Sequence, residues 1–254
     1  MHLRLARAFG IVLLVCMGLD CRAGLIEIVA KVKPSIVAIG TYNAVDNPRF
    51  GFRGTGFVVA DGILVVTNAH VLPEGGGDGG EARLVVRVTG GPGGAELRPA
   101  SLVSLDAAHD LALLRIAGTA LPTLAIAQPQ GIHEGQSIAF IGFPIGGLLG
   151  FTPVTHRGII SAITPVALPM PAARQLNEKT VQRLRAGSFD VYQLDATAYP
   201  GNSGGPVLDI ETGEVVGVIN MVLIKGTKES ALSQPSGISY AVPARFVDEL
   251  LKKR

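Results

Sequence analysis

With 254 residues, 48% of them hydrophobic and 17% charged, the chain can bury one large core or two small ones and falls outside the disordered class. Its formal net charge of +2 supplies no basic field of the kind that nucleic-acid binding needs, so nucleic acid is not an expected partner. The 33 glycines and 16 prolines point to a fold with many turns.

Residues 1–23 read as a secretory signal peptide. Arg4 and Arg7 precede the apolar run Phe9 to Leu19, and Cys21-Arg22-Ala23 places small residues three and one before a cut after Ala23. The run is about 11 residues, well short of the roughly 20 that span a bilayer. Cleavage takes away Arg4, Arg7, Arg22 and Asp20, so Lys+Arg falls from 22 to 19 and Asp+Glu from 20 to 19. Both cysteines, Cys16 and Cys21, leave as well. The mature chain is then near neutral, without a disulfide, a thiol nucleophile or a thiolate metal site. It is expected to be exported, periplasmic or secreted, with no stable membrane insertion once the leader is cut.

Residues 24–254 are expected to form the working domain. Val- and Ile-rich runs between Gly, Pro and Asp turns predict strands over 35–40, 56–60, 63–67, 83–89, 111–116, 137–142, 154–163, 191–195, 206–208, 215–220 and 238–242. That spacing suggests an all-β sandwich or a pair of barrels. Pro122, Pro129 and Gly131 interrupt the strands and place a boundary within 121–134. Residues 73–80 and 90–94 are Gly-rich and read as flexible hairpin segments. Residues 164–188 and 225–237 read as surface loops. At the end, Phe246, Val247, Leu250 and Leu251 form one apolar stripe, which predicts a short helix over 244–253.

Three motifs along this order carry chemistry. The apolar strand 63–66 leads into Thr67-Asn68-Ala69-His70-Val71, which puts an imidazole at a rigid strand end. Asp110 opens the apolar run Leu111-Ala112-Leu113-Leu114, where a carboxylate can be buried if it accepts hydrogen bonds. Gly201-Asn202-Ser203-Gly204-Gly205-Pro206 surrounds a serine with glycines, allowing backbone N–H groups to converge on one point. A serine hydroxyl needs a base beside it and donors for a developing oxyanion. His70, Asp110 and Ser203 supply the first requirement, and the amides of Gly201 and Ser203 the second. The order His, Asp, Ser is that of the chymotrypsin triad and not of the subtilisin or α/β-hydrolase ones. The remaining histidines are given no role: His2 lies in the leader, His109 reads as a surface neighbour, His133 as an exposed turn, and His156 as outward-facing. None has metal-ligand spacing, and no metal or cofactor is expected.

These motifs, with Pro34-Ser35-Ile36-Val37, Gly54-Thr55-Gly56-Phe57, Ile141-Gly142-Phe143-Pro144, the stretch from Thr155 to Ser161 and Gly237 to Pro243, resemble the protease domain of the HtrA/Deg family of trypsin-like serine endopeptidases. The resemblance covers nearly all of residues 25–250. It implies a chymotrypsin/trypsin-like double β-barrel with a short C-terminal helix. The N-terminal barrel is expected at about 30–121, the C-terminal barrel at about 135–243, and the active site between them. It also implies an endopeptidase that cleaves unfolded or misfolded proteins through an acyl-enzyme. Family members usually continue into PDZ domains, which this sequence is not expected to do. They often form homotrimers through aromatic residues near the mature N-terminus, and residues 24–41 contain none.

By the same resemblance Thr197 lies at the base of the S1 pocket, with Ala198, Tyr199, Ile219, Asn220 and Met221 around it. Strand 219–222 is expected to pair with substrate backbone. No acid stands among these residues, so cleavage is expected after small or medium apolar side chains. The alternative is a catalytically silent peptide-binding or chaperone module on the same fold.

Overall fold

The computed structural model describes residues 24–73, 82–91, 94–146, 150–165, 189–220 and 237–254. The leader, Met221 and most of the segments read as loops at 73–80, 164–188 and 225–237 lie outside the described residues.

Twelve strands make two closed six-stranded barrels. The first joins β1 (Ile36–Tyr42), β2 (Phe50–Val59), β3 (Leu64–Asn68), β4 (Arg83–Gly91), β5 (Gly94–Asp106) and β6 (Leu111–Ile116) in the order β1-β2-β3-β6-β5-β4. The second joins β7 (Ser137–Gly142), β8 (Val154–Pro165), β9 (Asp190–Asp195), β10 (Pro206–Asp209), β11 (Val215–Ile219) and β12 (Ile238–Pro243) in the order β10-β11-β12-β9-β8-β7. Helix α1 (Leu25–Val32) precedes the first barrel, and helix α2 (Arg245–Lys252) follows the second.

The apolar runs are nearly continuous because many strands are buried on both faces. In β1, Val37 and Ile39 point into the first barrel while Ile36 and Ala38 face the cluster between the barrels. In β6, Leu114 and Ile116 fill the barrel, and Leu111 and Leu113 pack outside it. β1 and β6 thus each serve two cores through their period of two. The shared cluster gathers Phe57, Leu113, Ile141, Phe143, Val218 and Val242 with Ile28 and Val32 of α1 and Phe246, Val247 and Leu250 of α2. The barrels are therefore joined by a hydrophobic core that also seats both helices. Among the described residues no helix is long and apolar enough to cross a membrane.

Strand β5 was not expected. Its two buried polar positions, Arg98 and Asp106, are charged, and Pro99 interrupts it, so the usual apolar alternation is missing. Arg98 is satisfied locally by Glu96 and by the carbonyl of Thr119. Helix α1 was also not expected: Ile26, Ile28 and Val29 are better strand formers than helix formers, and only Ile28 and Val32 are buried.

Candidate active site

Asp110 sits in the turn between β5 and β6 with a left-handed backbone (φ 56°). Its carbonyl accepts the amide N–H of Ala69 at 3.0 Å and the side-chain amide of Asn68 at 3.0 Å. These bonds tie the turn to the strand end that leads to His70. The buried carboxylate accepts three more. Oδ1 takes the backbone N–H of His70 at 2.9 Å, and Oδ2 takes His70 Nδ1–H at 2.6 Å and Asn220 Nδ2 at 2.9 Å. A carboxylate so placed fixes the imidazole in the tautomer that leaves Nε2 able to accept a proton. The His70 side chain is 26% exposed, so its other edge faces outward from this support.

The serine turn packs against the same strands. Ser203 O accepts Thr55 N–H of β2 at 2.9 Å. Gly204 carries φ +85°, and a Cβ there would lie 2.2 Å from Thr55 O, 2.4 Å from Thr67 Oγ1 and 3.1 Å from Asn68 N. Glycine alone permits this approach. A Cβ on Gly54 would sit 2.7 Å from Val71 Cγ2 and 3.0 Å from Ser203 O, so the residue after His70 and the serine backbone converge on one point. Among the described residues no hydrogen bond joins Ser203 Oγ to His70 Nε2.

Thr55 ties the serine turn to the residue that follows β7. Its hydroxyl donates to Gly201 O at 2.6 Å and accepts Phe143 N–H at 3.1 Å, while Thr67 Oγ1 donates to Thr55 O at 2.7 Å. Within the turn, Asn202 N–H donates to Tyr199 O, Gly204 N–H to Ile219 O and Gly205 N–H to Asn202 O. The N–H groups of Gly201 and Ser203, between and beside these, have no acceptor among the described residues. Two unpaired donors next to a serine are what an oxyanion needs.

A trypsin-like peptidase domain profile matches residues 54–218. The chain belongs to the trypsin-like peptidase family. Serine protease HTRA3 of Homo sapiens is 29% identical over 238 residues, covering 90% of this chain and 45% of that protein. A probable periplasmic serine endoprotease, DegP-like, of Chlamydia pneumoniae is 32% identical over 205 residues, covering 79% of this chain and 34% of that protein. The chain therefore spans between a third and a half of the length of these curated relatives. A solved HtrA-type protease, AlgW with tripeptide, superposes with a TM-score of 0.61 over 91% of this chain and 63% of that one, at 24% identity, and shares the fold.

Several residues of this trypsin-like peptidase do other things than the sequence reading assigned. Asn220 does not line a pocket: its side chain is buried and donates to Asp110. Ile219 points into the second barrel, and its N–H and C=O are already bonded to Gly205 O and Gly204 N–H, so it cannot pair with substrate backbone. Ala198 is buried in the same core, and its N–H donates to Ser239 Oγ, which in turn donates to Ala196 O. Thr197 and Tyr199 are half-buried and lead into the serine turn. Met221 lies outside the described residues. Two supports, Thr55 and Asn68, were missed although each stands inside a quoted motif. Their partners lie across the fold, which spacing does not reveal.

His109 is not a surface neighbour: its ring is stacked on Phe246. His156 does not face outward freely. Its ring lies flat on Phe140, with centroids 4.6 Å apart and 15° between planes, and its Nε2 is 3.5 Å from Asn202 Nδ2. Burial pulls the His156 imidazole below its usual value of 6.5. The folded state therefore takes up the proton at lower pH than the unfolded state does. Stability is full above about pH 6.5 and declines as pH falls toward the folded-state value. Urea denaturation at pH 7.5 and 5.5 is expected to show a smaller stability difference in His156→Gln than in wild type; an equal difference would refute this.

Proposed function

We propose that this chain is a serine endopeptidase working through an acyl-enzyme. The observation that carries the reading is the buried Asp110 carboxylate held 2.6 Å from His70 Nδ1, beside a glycine-flanked serine turn with two unpaired N–H groups. Substrate binding brings Ser203 Oγ into line with His70 Nε2; such contacts are commonly long before substrate arrives. Ser203 Oγ attacks the scissile carbonyl carbon while its proton passes to His70 Nε2. Asp110 stabilises the resulting imidazolium, and the N–H groups of Gly201 and Ser203 receive the oxyanion. Collapse of the tetrahedral adduct breaks the C–N bond, and His70 hands its proton to the leaving amine. Water, deprotonated by His70, then hydrolyses the ester and restores the serine.

The substrates are polypeptides, unfolded or misfolded ones in preference, because a chain must be extended to bring its backbone to the serine turn. Thr197, Ala198 and Tyr199 bring no carboxylate near the serine, which supports cleavage after small or medium apolar residues. The leader-like residues 1–23 and the word periplasmic in the name of the DegP-like relative support action outside the cytoplasm.

The missing Ser203–His70 hydrogen bond is the one feature favouring a second reading, a catalytically silent peptide-binding module. A fluorophosphonate probe separates the two. The protease reading expects one adduct, mapped by fragment mass to the peptide holding Ser203, together with digestion of casein. No adduct and no digestion would leave the binding module standing. Dominant cleavage after Arg or Lys would overturn the pocket assignment alone.

A further inference from the structure

A second histidine–carboxylate pair adjoins the first. Asp106 ends β5 and Asp110 closes the same turn, with Asp106 paired across the ladder to Leu111. His109, between them, donates its backbone N–H to Asp106 Oδ1 at 3.1 Å and contacts Oδ2 through Nδ1 at 2.9 Å. Both side chains are largely withdrawn from water, at 18% and 7% exposed. The His109 ring is stacked on Phe246 of α2, with centroids 3.6 Å apart and 18° between planes. It also meets the edge of Phe189, which precedes β9, at 4.6 Å. Phe189 and Phe246 touch each other at 5.4 Å. The turn of the first barrel is thus gripped by two aromatics that belong to the second barrel and its closing helix.

Packing alone does not account for a histidine here, since phenylalanine would stack as well. The imidazole adds a donor to a carboxylate that would otherwise be buried with one amide bond and a distant lysine, Lys253 Nζ at 3.8 Å. Burial pushes the Asp106 carboxyl up. The two His109 hydrogen bonds, with the charges of His109 and Lys253, more than offset that and hold it below its ordinary value. Asp106 is therefore a carboxylate at neutral pH and fixes His109 through Nδ1. Other charged groups near this cluster are Arg245, whose guanidinium lies 4.7 Å from the Phe246 ring centroid, Asp190, which follows Phe189, and Asp110, which follows His109.

We propose that His109 is a positioning residue for catalysis: paired with Asp106 and gripped by Phe246 and Phe189, it locks the left-handed turn that presents Asp110 to His70. The proposal rests on the protease reading for its effect on rate. Its geometric content, a well-held His70–Asp110 bond, can be read without any turnover. A main chain at φ 56° on a non-glycine residue persists only where its surroundings hold it. His109 is the residue immediately before it.

The test compares the full chain with His109→Phe, which keeps the stacking and removes the donor, and His109→Asn, which keeps a donor that can reach Asp106. Two readouts are taken: the far-downfield proton resonance of His70 Nδ1–H, and kcat and KM on a peptide substrate across pH. In His109→Phe the resonance is expected to broaden or move upfield. The acid limb of the rate profile is expected to move to lower pH, and kcat to fall about ten- to a hundredfold with KM little changed. His109→Asn is expected to recover the resonance and most of kcat. A folded His109→Phe chain with the wild-type resonance, acid limb and kcat overturns the proposal. So does a loss of kcat in both variants with the resonance unmoved, since that marks a purely structural role. If wild type gives no fluorophosphonate adduct and no turnover, the protease reading fails by itself, and the resonance still decides whether His109 holds the turn.

Discussion

Asp110→Asn is expected to lower kcat about 10⁴-fold while leaving the fold and KM close to wild type. The geometry makes the isosteric change severe. Oδ1 accepts one N–H, from His70, and Oδ2 accepts two, from His70 Nδ1 and Asn220 Nδ2. An asparagine has one acceptor oxygen and one donor NH2. With the NH2 at the Oδ2 position, it faces two donors, and His70 can answer only by moving its proton to Nε2. The imidazole then has no lone pair for the serine proton. With the NH2 at the Oδ1 position, it opposes the fixed backbone N–H of His70 and disrupts the short turn at Ala69–Val71. Either orientation leaves a buried donor unsatisfied; the first, which spares the turn, is the one that misassigns the base. Initial rates on a peptide substrate, alongside a denaturation curve for the variant, check this. A residual kcat above a tenth of wild type would mean that Asp110 does not set the His70 tautomer.

The parts of this arrangement that short motifs express were readable in the sequence. His70 follows a strand end, Asp110 opens an apolar run, and Ser203 stands among glycines, so each announces itself within six residues. The two barrels were readable for a related reason: alternation and turn residues are local signals, and the family resemblance supplied the closure. What stayed hidden depends on contacts between distant residues. Asn220 looks like an ordinary strand end, and its partner Asp110 is 110 positions away. Thr55 looks like a spacer between two glycines, yet its hydroxyl bridges Gly201 O and Phe143 N–H. His109 reads in the sequence as a surface neighbour, and His156, by strand alternation, as outward-facing. Both are flat rings stacked on phenylalanines, which periodicity cannot distinguish from solvent-facing positions. Strand β5 was hidden by the opposite effect, since its buried positions Arg98 and Asp106 carry charge that only local partners make tolerable.

Gly204→Ala is expected to cost on the order of 3–5 kcal/mol of stability and to abolish measurable hydrolysis. Two separate penalties meet at this residue. A side chain at φ +85° is strained wherever it occurs, and here the new methyl group overlaps Thr55 O at 2.2 Å and Thr67 Oγ1 at 2.4 Å. Neither neighbour can retreat cheaply. Thr55 O accepts the Thr67 hydroxyl, Thr55 N–H holds Ser203 O, and Gly204 N–H is bonded to Ile219 O. Relief requires the serine turn to separate from β2 and β3, which loosens the contact between the two barrels beside Ser203 and His70. Gly131→Ala isolates the strain component, because Gly131 has φ +113° with nothing within 4 Å of its Cβ position. That control is expected to lose about 1–2 kcal/mol and to keep full activity. A domain of this size shifts by about 2–4 °C in Tm per kcal/mol, so the two variants should melt roughly 2–16 °C apart, Gly204→Ala the lower. Equal melting points, with Gly204→Ala still active, would mean that the serine turn is not pressed against β2 and β3 in solution.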